Sequence, residues 1–406
     1  MQYTATTRDG ATVIFPLGAL PQAFACIPDP RSKQGLRYSL ASILSLALVA
    51  ILANHRSGLA IAEWGARQSK AIQHALGFTR GTLPHQTTIQ RLFQRLNPSD
   101  LAAAVQRVFE PRCPGEVRER GSQGVAVDGK AQRGRLRHAN QPTHPAHAVT
   151  AFCHDVGGAL AQLVVDTQQQ QGELTVAPQL IAQVEWQGRV LTGDALYCQQ
   201  HLCRQVVEAQ GDYLLIVKEN QPTLLADIQQ VFAPLSAEEQ ARRGVHTAVP
   251  MAIQTYRTVE KGHGRLEERQ IRVSSELAGY SAWPYLEQVF EYTRRWTSKG
   301  ITKQQIRYGI TSLPAMVSDP ARVGALKRGH WQIENGLHYI KDVTMGEDAS
   351  QTHVGYAADI LAMIRTTAIS LLRRAGHQAI ASQLRRYSGC PLEALALIGI
   401  QLNENA

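Results

Sequence analysis

Two short apolar segments, each ending in an aspartate, place the strongest constraint on the fold of this chain. GVAVDGK, residues 124–130, and RVLTGDAL, residues 189–196, read as buried strands that deliver Asp128 and Asp194 at their carboxyl ends. Helical and strand segments alternate around them, as in a mixed sheet covered by helices. Open α/β sheets place their sites at the carboxyl edge of the strands. The sequence therefore predicts an α/β domain with two acids at that edge.

The other elements of this domain follow from the same apolar spacing. AHAVTAFCHD and ALAQLVVDT, residues 146–155 and 159–167, are expected to form a hairpin that turns at Gly157-Gly158. Charged, alternating segments at 237–279 indicate a solvated, β-rich insertion. The remaining expected elements are helices at 173–185, 199–209, 222–232 and 357–374, and strands at 212–218, 287–296 and 305–313.

Residues 1–118 are predicted to form a helical N-terminal domain, because apolar residues recur at helical intervals over 38–54, over 59–75 and on to Phe109. Thr87 and Thr88 are candidate caps of one of its helices. That helix is expected to bury Ile89, Leu92, Phe93 and Leu96 and to expose Gln90, Arg91, Gln94 and Arg95. Its basic face suits either DNA contact or plain solvation.

Glycine, proline and arginine are frequent in the connector at 111–124, which marks a domain boundary. We expect the α/β domain over 119–375, interrupted by the insertion, and a C-terminal tail over 376–406.

The stretch RGHWQIENGLHYIKDVTMGED, residues 328–348, carries polar groups at helical spacing. Its apolar stripe is Ile333, Leu337 and Ile340, and its polar stripe is His330, Glu334, His338 and Lys341. An ordinary amphipathic helix with a wet polar face has the same pattern. Because the apolar stripe anchors the helix in a core, Glu334 is also suited to being held in place for chemistry.

The composition bears on partners and on compartment. Lys and Arg outnumber Asp and Glu by 42 to 33, which favours phosphate-bearing partners. The six cysteines form no C-x-x-C pair, so reduced thiols are expected rather than disulfides or thiolate zinc. No signal peptide is evident, and the longest apolar run, 40–53, is too short to span a bilayer. A cytoplasmic protein that does not contact a membrane is expected.

Asp128, Asp194 and Glu334 are candidate ligands of a hard cation. Carboxylates converging on one sheet edge suit Mg²⁺ or Mn²⁺. Two such ions about 4 Å apart can activate a water or a 3′-hydroxyl and stabilise the leaving oxygen in phosphoryl transfer. A basic loop follows Asp128 directly, with Lys130, Arg133, Arg135 and Arg137. This combination points to chemistry on DNA.

Other interpretations of these residues remain open. Zinc could bind His330, Glu334 and His338, or a cluster of His144, His147, Cys153 and His154, although neither has a recognised ligand spacing. Alternative carboxylates are Asp155, Asp166 and Glu347. Lys218 and Asn220 follow a core strand and suit either DNA contact or a solvated loop.

The order of VAVDGKAQRGR, LTGDAL and HWQIENGLHYIKDVTMGED resembles the DDE transposases of bacterial insertion sequences, in the branch that includes the H-repeat-associated proteins of Rhs elements. The resemblance covers nearly the whole chain, including YLLIVKENQPTL and EKGHGRLEER. It implies a ribonuclease-H-like mixed sheet with flanking helices and a β-rich insertion before the last acid. It also implies that Asp128, Asp194 and Glu334 hold two divalent ions and are catalytic.

The resemblance further implies double-stranded DNA partners, namely terminal inverted repeats and target DNA, with a homodimer on DNA ends as a candidate assembly. The DNA-contacting residues expected on this basis are Lys130, Arg133, Arg135, Arg137, Arg328, His330 and Lys341. Many relatives have Tyr, Arg, Glu and Lys in fixed order around the last acid. Glu334 and Lys341 fit that signature, but Lys327 and His330 replace its Tyr and Arg. Arg328 or a protonated His330 would then have to bind the phosphate.

A catalytically silent DNA-binding relic and a stand-alone nuclease are the two alternatives to an active transposase. Lys341 has an alternative role too, as a structural counter-charge to nearby acids instead of a phosphate contact.

Overall fold

The computed structural model describes residues 2–6, 12–16, 19–34, 36–109, 118–132, 147–166, 171–233, 253–262, 265–298 and 300–402, with the backbone alone for 2–6 and 12–16. The chain divides into two compact units. Unit 1 comprises Met1–Gly115, Asp128–Val184 and Gln332–Ala406, and unit 2 comprises Glu116–Val127 and Glu185–Trp331.

The N-terminal part of unit 1 is mostly helical but begins with strands. β1, Gln2–Thr6, pairs antiparallel with β2, Thr12–Pro16. The expectation of an all-helical region over 1–118 is therefore wrong for its first residues. The helices that follow are Ala19–Ala25, Leu40–Leu52, Gly58–Arg67, Lys70–Ala75, Gln86–Arg95 and Pro98–Phe109.

Side-chain caps set the starts of these helices. The Ser69 hydroxyl accepts a hydrogen bond from the backbone of Ile72 and starts a new helix inside the single helix expected at 59–75. The helix Gln86–Arg95 is capped by the His85 ring, so the expected Thr87 or Thr88 cap is wrong. Its expected apolar face is confirmed, because all four of its expected core residues are buried: Ile89, Leu92, Phe93 and Leu96.

The rest of unit 1 contains a hairpin and the end of a third strand. β4, His147–Cys153, pairs antiparallel with β5, Gly158–Val165, as predicted. Gly157 provides the turn with φ +69, a conformation that glycine adopts without strain. β3, Gln123–Ala131, lies next to β4 and belongs to unit 1 from Asp128 onward. The helices of this part are Glu173–Ala182, Ala357–Arg374, Ile380–Gly389 and Pro391–Leu397.

Unit 2 is built on a mixed sheet. The first part of β3 pairs in parallel with β6, Arg189–Gly193, which pairs in parallel with β7, Asp212–Val217. The sheet continues in the order β7-β11-β10-β9-β8 through antiparallel pairs. These added strands are β8 Gln254–Gly262, β9 Arg265–Ser274, β10 Gln288–Ser298 and β11 Ile301–Thr311. The helices are Gln200–Glu208, Pro222–Phe232 and Pro320–Gly329.

The predicted β-rich insertion includes β8 and β9, which extend the sheet. β8 is almost fully exposed along its length, in agreement with the solvated character expected from its alternating charges. Residues 237–252 and 263–264 of the predicted insertion lie outside the described part of the chain. In contrast, β6 is buried throughout, as expected for a largely apolar strand in the parallel part of the sheet.

No helix in the described ranges is both long and apolar enough to cross a membrane. The five cysteines within those ranges, Cys26, Cys153, Cys198, Cys203 and Cys390, are all free thiols.

Candidate active site

Asp194 follows β6 in unit 2 and is held by the turn that it starts. Its Oδ1 accepts a hydrogen bond from the Leu196 backbone at 2.8 Å, and the turn is supported by Asn220, whose Nδ2 donates to Ala195 O at 2.7 Å. Asp194 is exposed and forms no ion pair with any residue that the structure describes. Asn220, a candidate DNA contact, instead stabilises this turn.

Asp128 lies in β3, whose first part pairs in parallel with β6. Val125 pairs with Leu191 and Ala126 pairs with Thr192. Asp194 directly follows β6, as expected, whereas Asp128 is the sixth of the nine residues of β3. The expectation that each acid ends its strand is therefore confirmed for Asp194 and wrong for Asp128.

Within unit 1, Asp128 lies beside the segment that carries Glu334. His338 Nδ1 is 3.6 Å from Asp128 Oδ2, and both side chains are partly buried. Glu334 is exposed and has no ion-pair partner among the described residues. The segment is anchored by Ile333, Leu337 and Ile340, which are buried as predicted. Glu334 is thus presented to solvent from a packed element.

The segment after Glu334 is a π-helix over Glu334–His338 and Ile340–Thr344. Its i→i+5 bonds place more residues in each turn than an α-helix does. A residue seven positions along therefore leaves the face of Glu334. This is why the expectation that Lys341 shares the exposed stripe is wrong: Lys341 is only 3% exposed.

Lys341 belongs to a buried charge cluster. Its Nζ is 3.1 Å from Glu347 Oε1, and Arg365 Nη1 is 3.5 Å from the other oxygen of Glu347. Arg365 also donates to the Arg56 carbonyl at 3.1 Å. Burial lowers the pKa of Lys341, and the Glu347 carboxylate opposes that shift. The geometry matches the counter-charge alternative for Lys341. It also gives Glu347, an alternative carboxylate, a structural partner.

Lys130 is likewise engaged inside unit 1. Its Nζ donates to Asp342 Oδ2 at 2.7 Å, and only 10% of its side chain is exposed. DNA contact by Lys130 was expected from its place in a basic loop; the structure instead shows it in an ion pair. Arg133, Arg135 and Arg137 of that loop lie outside the described residues.

Arg328, His330 and Lys327 lie in unit 2. Arg328 is exposed and pairs with Glu260 at 2.9 Å. His330 Nδ1 is 3.3 Å from Thr192 Oγ1, and burial lowers the pKa of His330 to about 4, against the opposing charge of Asp194. His330 is thus neutral at pH 7 in the free protein. Its expected contact with phosphate, and that of Arg328, remain predictions.

Glu173 was not predicted from the sequence to lie near the candidate site. Its carboxylate accepts from His147 Nε2 at 2.8 Å if the ring carries that proton, and it lies over Gly129, where a Cβ atom would collide with it. Gly129 follows Asp128 in the strand, so a side chain at this position would displace the Glu173 carboxylate. Pairing of His147 with Glu173 also gives His147 a role other than zinc ligation.

The other alternative carboxylates are peripheral to these contacts. Asp155 is exposed in the turn between β4 and β5, and Asp166 is partly buried just after β5. Lys218 is exposed after β7. Across the described part of the chain, no three His, Cys, Asp or Glu side chains are grouped closely enough to hold a metal ion.

The donor set nevertheless fits a hard divalent cation, because the candidate ligands are carboxylates and two of them, Asp194 and Glu334, are exposed without ion-pair partners among the described residues.

Comparison with known proteins identifies the family. The family model described as Transposase DDE domain matches residues 119–371, and the one described as DDE_Tnp_1-associated matches residues 21–108. An uncharacterized protein in the dhlA 3′ region of Xanthobacter autotrophicus is 31% identical over 71% of this chain and 92% of its own length.

Two relatives from Escherichia coli carry transposase names. The putative transposase YncI of strain O157:H7 is 28% identical, over 86% of this chain and 85% of its own length. The H repeat-associated putative transposase YhhI of strain K12 is 24% identical, over 88% and 90%. A cryo-EM structure of a piggyBac transposase synaptic complex with hairpin DNA aligns over 98% of this chain and 83% of that chain at 10% identity, with a TM-score of 0.42, too low to support an argument.

The resemblance inferred from the three acidic motifs is thereby confirmed, since the matched regions span both the helical N-terminal part and the α/β part. The chain belongs to the transposase DDE domain family, with relatives that include the H repeat-associated putative transposases.

Proposed function

We propose that this protein is a DNA transposase that cleaves at the ends of its insertion sequence and joins the freed 3′-hydroxyl to target DNA. Membership of the DDE family supports the transposase assignment. The observation that supports the site is that two of the three acids lie on neighbouring strands of the parallel part of the sheet, Asp128 within β3 and Asp194 directly after β6.

The strand arrangement also supports a ribonuclease-H-like core. Unit 1 contains the antiparallel hairpin β4–β5 beside β3, and unit 2 contains the parallel series β3-β6-β7. A mixed sheet of this kind fits the ribonuclease-H-like mixed sheet that the resemblance implies. On this proposal residues 119–375 form the catalytic domain and residues 1–118 contribute DNA binding.

Asp128, Asp194 and Glu334 would hold Mg²⁺ or Mn²⁺. Two such ions, when bound, supply activation of the attacking water or 3′-hydroxyl and stabilisation of the leaving oxygen. The protein contributes orientation: the Leu196 backbone fixes one oxygen of Asp194, and His338 lies against one oxygen of Asp128. Glu334 is held by the buried side chains that flank it.

DNA is the proposed partner, bound through cations that remain exposed. Arg328 is 48% exposed in its side chain, and the loop arginines Arg133, Arg135 and Arg137 add charge near Asp128 in the sequence. Such contacts release counterions, so binding should weaken steeply with salt. The protein is further proposed to act in the cytoplasm as a homodimer bound to paired DNA ends.

The decisive experiment incubates the protein with the DNA that flanks its own gene plus Mg²⁺, and scores both cleavage and strand joining. We expect both products from the wild type. Asp128→Asn, Asp194→Asn and Glu334→Gln should each reduce cleavage by at least about a hundredfold, comparable to losing one preorganised transition-state donor. DNA binding should be nearly unchanged, because these acids hold metal and not phosphate.

Asp166→Asn is the matched control, since Asp166 also follows a strand of unit 1 but lies outside the triad. It should cleave at the wild-type rate. Cleavage without any joined product would favour the stand-alone nuclease. Binding without cleavage by the wild type would favour the catalytically silent relic. Near-normal cleavage by a triad variant would remove that residue from the proposed site.

A further inference from the structure

Two ion pairs, made by adjacent residues, hold the segment that carries Glu334 in place. Lys341 pairs with Glu347 at 3.1 Å, and Asp342 accepts from Lys130 at 2.7 Å. Adjacent residues of a helix project in different directions. The two pairs therefore hold the segment from two sides, one toward β3 and one toward the buried Glu347.

Two side-chain contacts join β3 to the segment that carries Glu334. Asp128 and Lys130 are two residues apart and share one face of the strand, about 6.6 Å apart along it. His338 and Asp342 are four residues apart, close to one turn of the π-helical segment, so they lie on the same side of it. Asp128 lies against His338 at 3.6 Å and Lys130 against Asp342 at 2.7 Å. Together these two contacts fix the register of the Glu334 segment on the strand that carries Asp128.

The burial of the lysines sets them apart from cations that could bind DNA. The exposed side-chain fraction is 10% for Lys130 and 4% for Lys341, against 48% for Arg328. If Lys341 moved to a phosphate, the buried Glu347 carboxylate would keep only Arg365, and if Lys130 did so, the partly buried Asp342 would lose its ion-pair partner. Such a loss is costly.

We propose that Lys130 and Asp342 are positioning residues that set Glu334 relative to Asp128, with Lys341 fixing the same segment from its buried side. Neither lysine contacts DNA in this arrangement. The inference rests on the proposed function where cleavage is the readout, but the register that it describes is a property of unit 1 alone.

Exchange of the charges tests the proposal. Lys130→Asp and Asp342→Lys are made singly and together, and amide hydrogen exchange over residues 334–344 is measured with cleavage of the flanking DNA. Each single variant should exchange faster and lose at least about tenfold in kcat with little change in KM, the size expected for coupled residues. The exchanged pair should recover both quantities to within about threefold of the wild type.

A phosphate contact predicts a different result. If Lys130 binds DNA, the exchanged pair stays as impaired as Lys130→Asp, because position 130 is still acidic, and KM and the salt dependence of binding change. That outcome overturns the proposal. So does unchanged hydrogen exchange in both single variants. Lys130→Met, which adds no charge, gives the same readouts if the charge-reversed variants fold poorly.

Arg31→Met is the matched control. The Arg31–Asp29 pair is 2.6 Å long and has similar side-chain exposure, 15% and 25% against 10% and 29% for Lys130 and Asp342. It should leave exchange over 334–344 and kcat unchanged. If the wild type cleaves no DNA, the proposed function fails, whereas recovery of hydrogen exchange in the exchanged pair still supports the positioning role.

Discussion

The ion pairs of unit 1 around Lys341 and those of unit 2 around Arg328 use the same chemical groups in opposite environments. In unit 1, Lys341, Glu347 and Arg365 are at most 4% exposed in their side chains. In unit 2, Arg328 and Glu260 are 48% and 49% exposed. The cluster around Lys341 is shielded from solvent, whereas the Arg328–Glu260 pair is open to it.

Because their burial differs, the two sets of ion pairs have different roles. A buried pair cannot exchange partners without leaving an uncompensated charge, so it holds one conformation. An exposed pair contributes little to stability and is readily exchanged. A phosphate can therefore replace Glu260 at Arg328 at small cost, whereas it cannot replace Glu347 at Lys341. Exposure, rather than the presence of a lysine or an arginine, separates candidate DNA contacts from structural residues.

Lys327 in unit 2 extends the comparison. Like Lys341 it is removed from most solvent, but no carboxylate among the described residues lies within ion-pair distance of it. Its ammonium lies 4.0 Å from the Tyr292 ring centroid and 5.8 Å from that of Trp331. Burial, together with the smaller effect of neighbouring arginines, lowers the pKa of Lys327 to about 8. Lys341 has a counter-charge and Lys327 has only aromatic faces.

Removing Glu347 should have the largest effect on stability. Glu347→Gln leaves Lys341 and Arg365 buried without their carboxylate, which should cost about 3–5 kcal/mol in the free energy of unfolding. Urea unfolding checks the value. The control is Glu393→Gln, which breaks an exposed pair with Arg386 and should leave the midpoint unchanged. Equal midpoint shifts for both variants would contradict the distinction between buried and exposed pairs.

Lys341→Met should have a smaller effect, because Glu347 keeps Arg365 as a partner. We expect a loss of about 1–3 kcal/mol, the cost of a poorly satisfied buried acceptor. The salt dependence of DNA binding should be the same as in the wild type. A flatter salt dependence together with unchanged stability would mean that Lys341 reaches phosphate after all.

Lys327→Met should stabilise the protein by about 1–2 kcal/mol at pH 7, since it removes a buried charge that lacks a counter-charge. The folded-state pKa, about 8, lies below the ordinary value of 10.5, so between these pH values the unfolded chain binds more protons. Wild-type stability should therefore rise from pH 8 to 10.5, and the advantage of the variant should shrink. Unfolding curves at pH 7 and pH 10 measure this; an advantage that grows with pH would refute the assignment.

Arg328→Ala should have the smallest effect on stability, less than about 1 kcal/mol, because its partner is exposed. It should instead reduce the salt slope of DNA binding by about one, the amount expected for one lost phosphate contact. Fluorescence anisotropy at several salt concentrations measures the slope. Arg386→Ala, at an exposed pair in unit 1, is the control and should leave the slope as it is.

Elements with a regular apolar period were predictable. The hairpin β4–β5, the buried faces of Gln86–Arg95 and of the Glu334 segment, and the helix Ala357–Arg374 agree with the sequence predictions. Local spacing determines which side of a helix or strand is apolar, and burial of that side follows. Breaks that depend on one cap, such as the new helix at Ser69, were missed, because the apolar period continues across them.

The sequence by itself determined the family and singled out the three candidate acids, because each acid lies in a local motif with a recognisable flank. Only the tertiary structure decided which cations are buried in ion pairs and which are exposed. Lys130 meets Asp342, 212 positions away, and Glu347 meets Arg365, 18 positions away on another helix, and periodicity within one element predicts neither pair. The π-helical geometry after Glu334 likewise turns Lys341 inward. The sequence shows which side chains are charged. Whether a charged side chain is buried in an ion pair or exposed to solvent depends on how the whole chain packs.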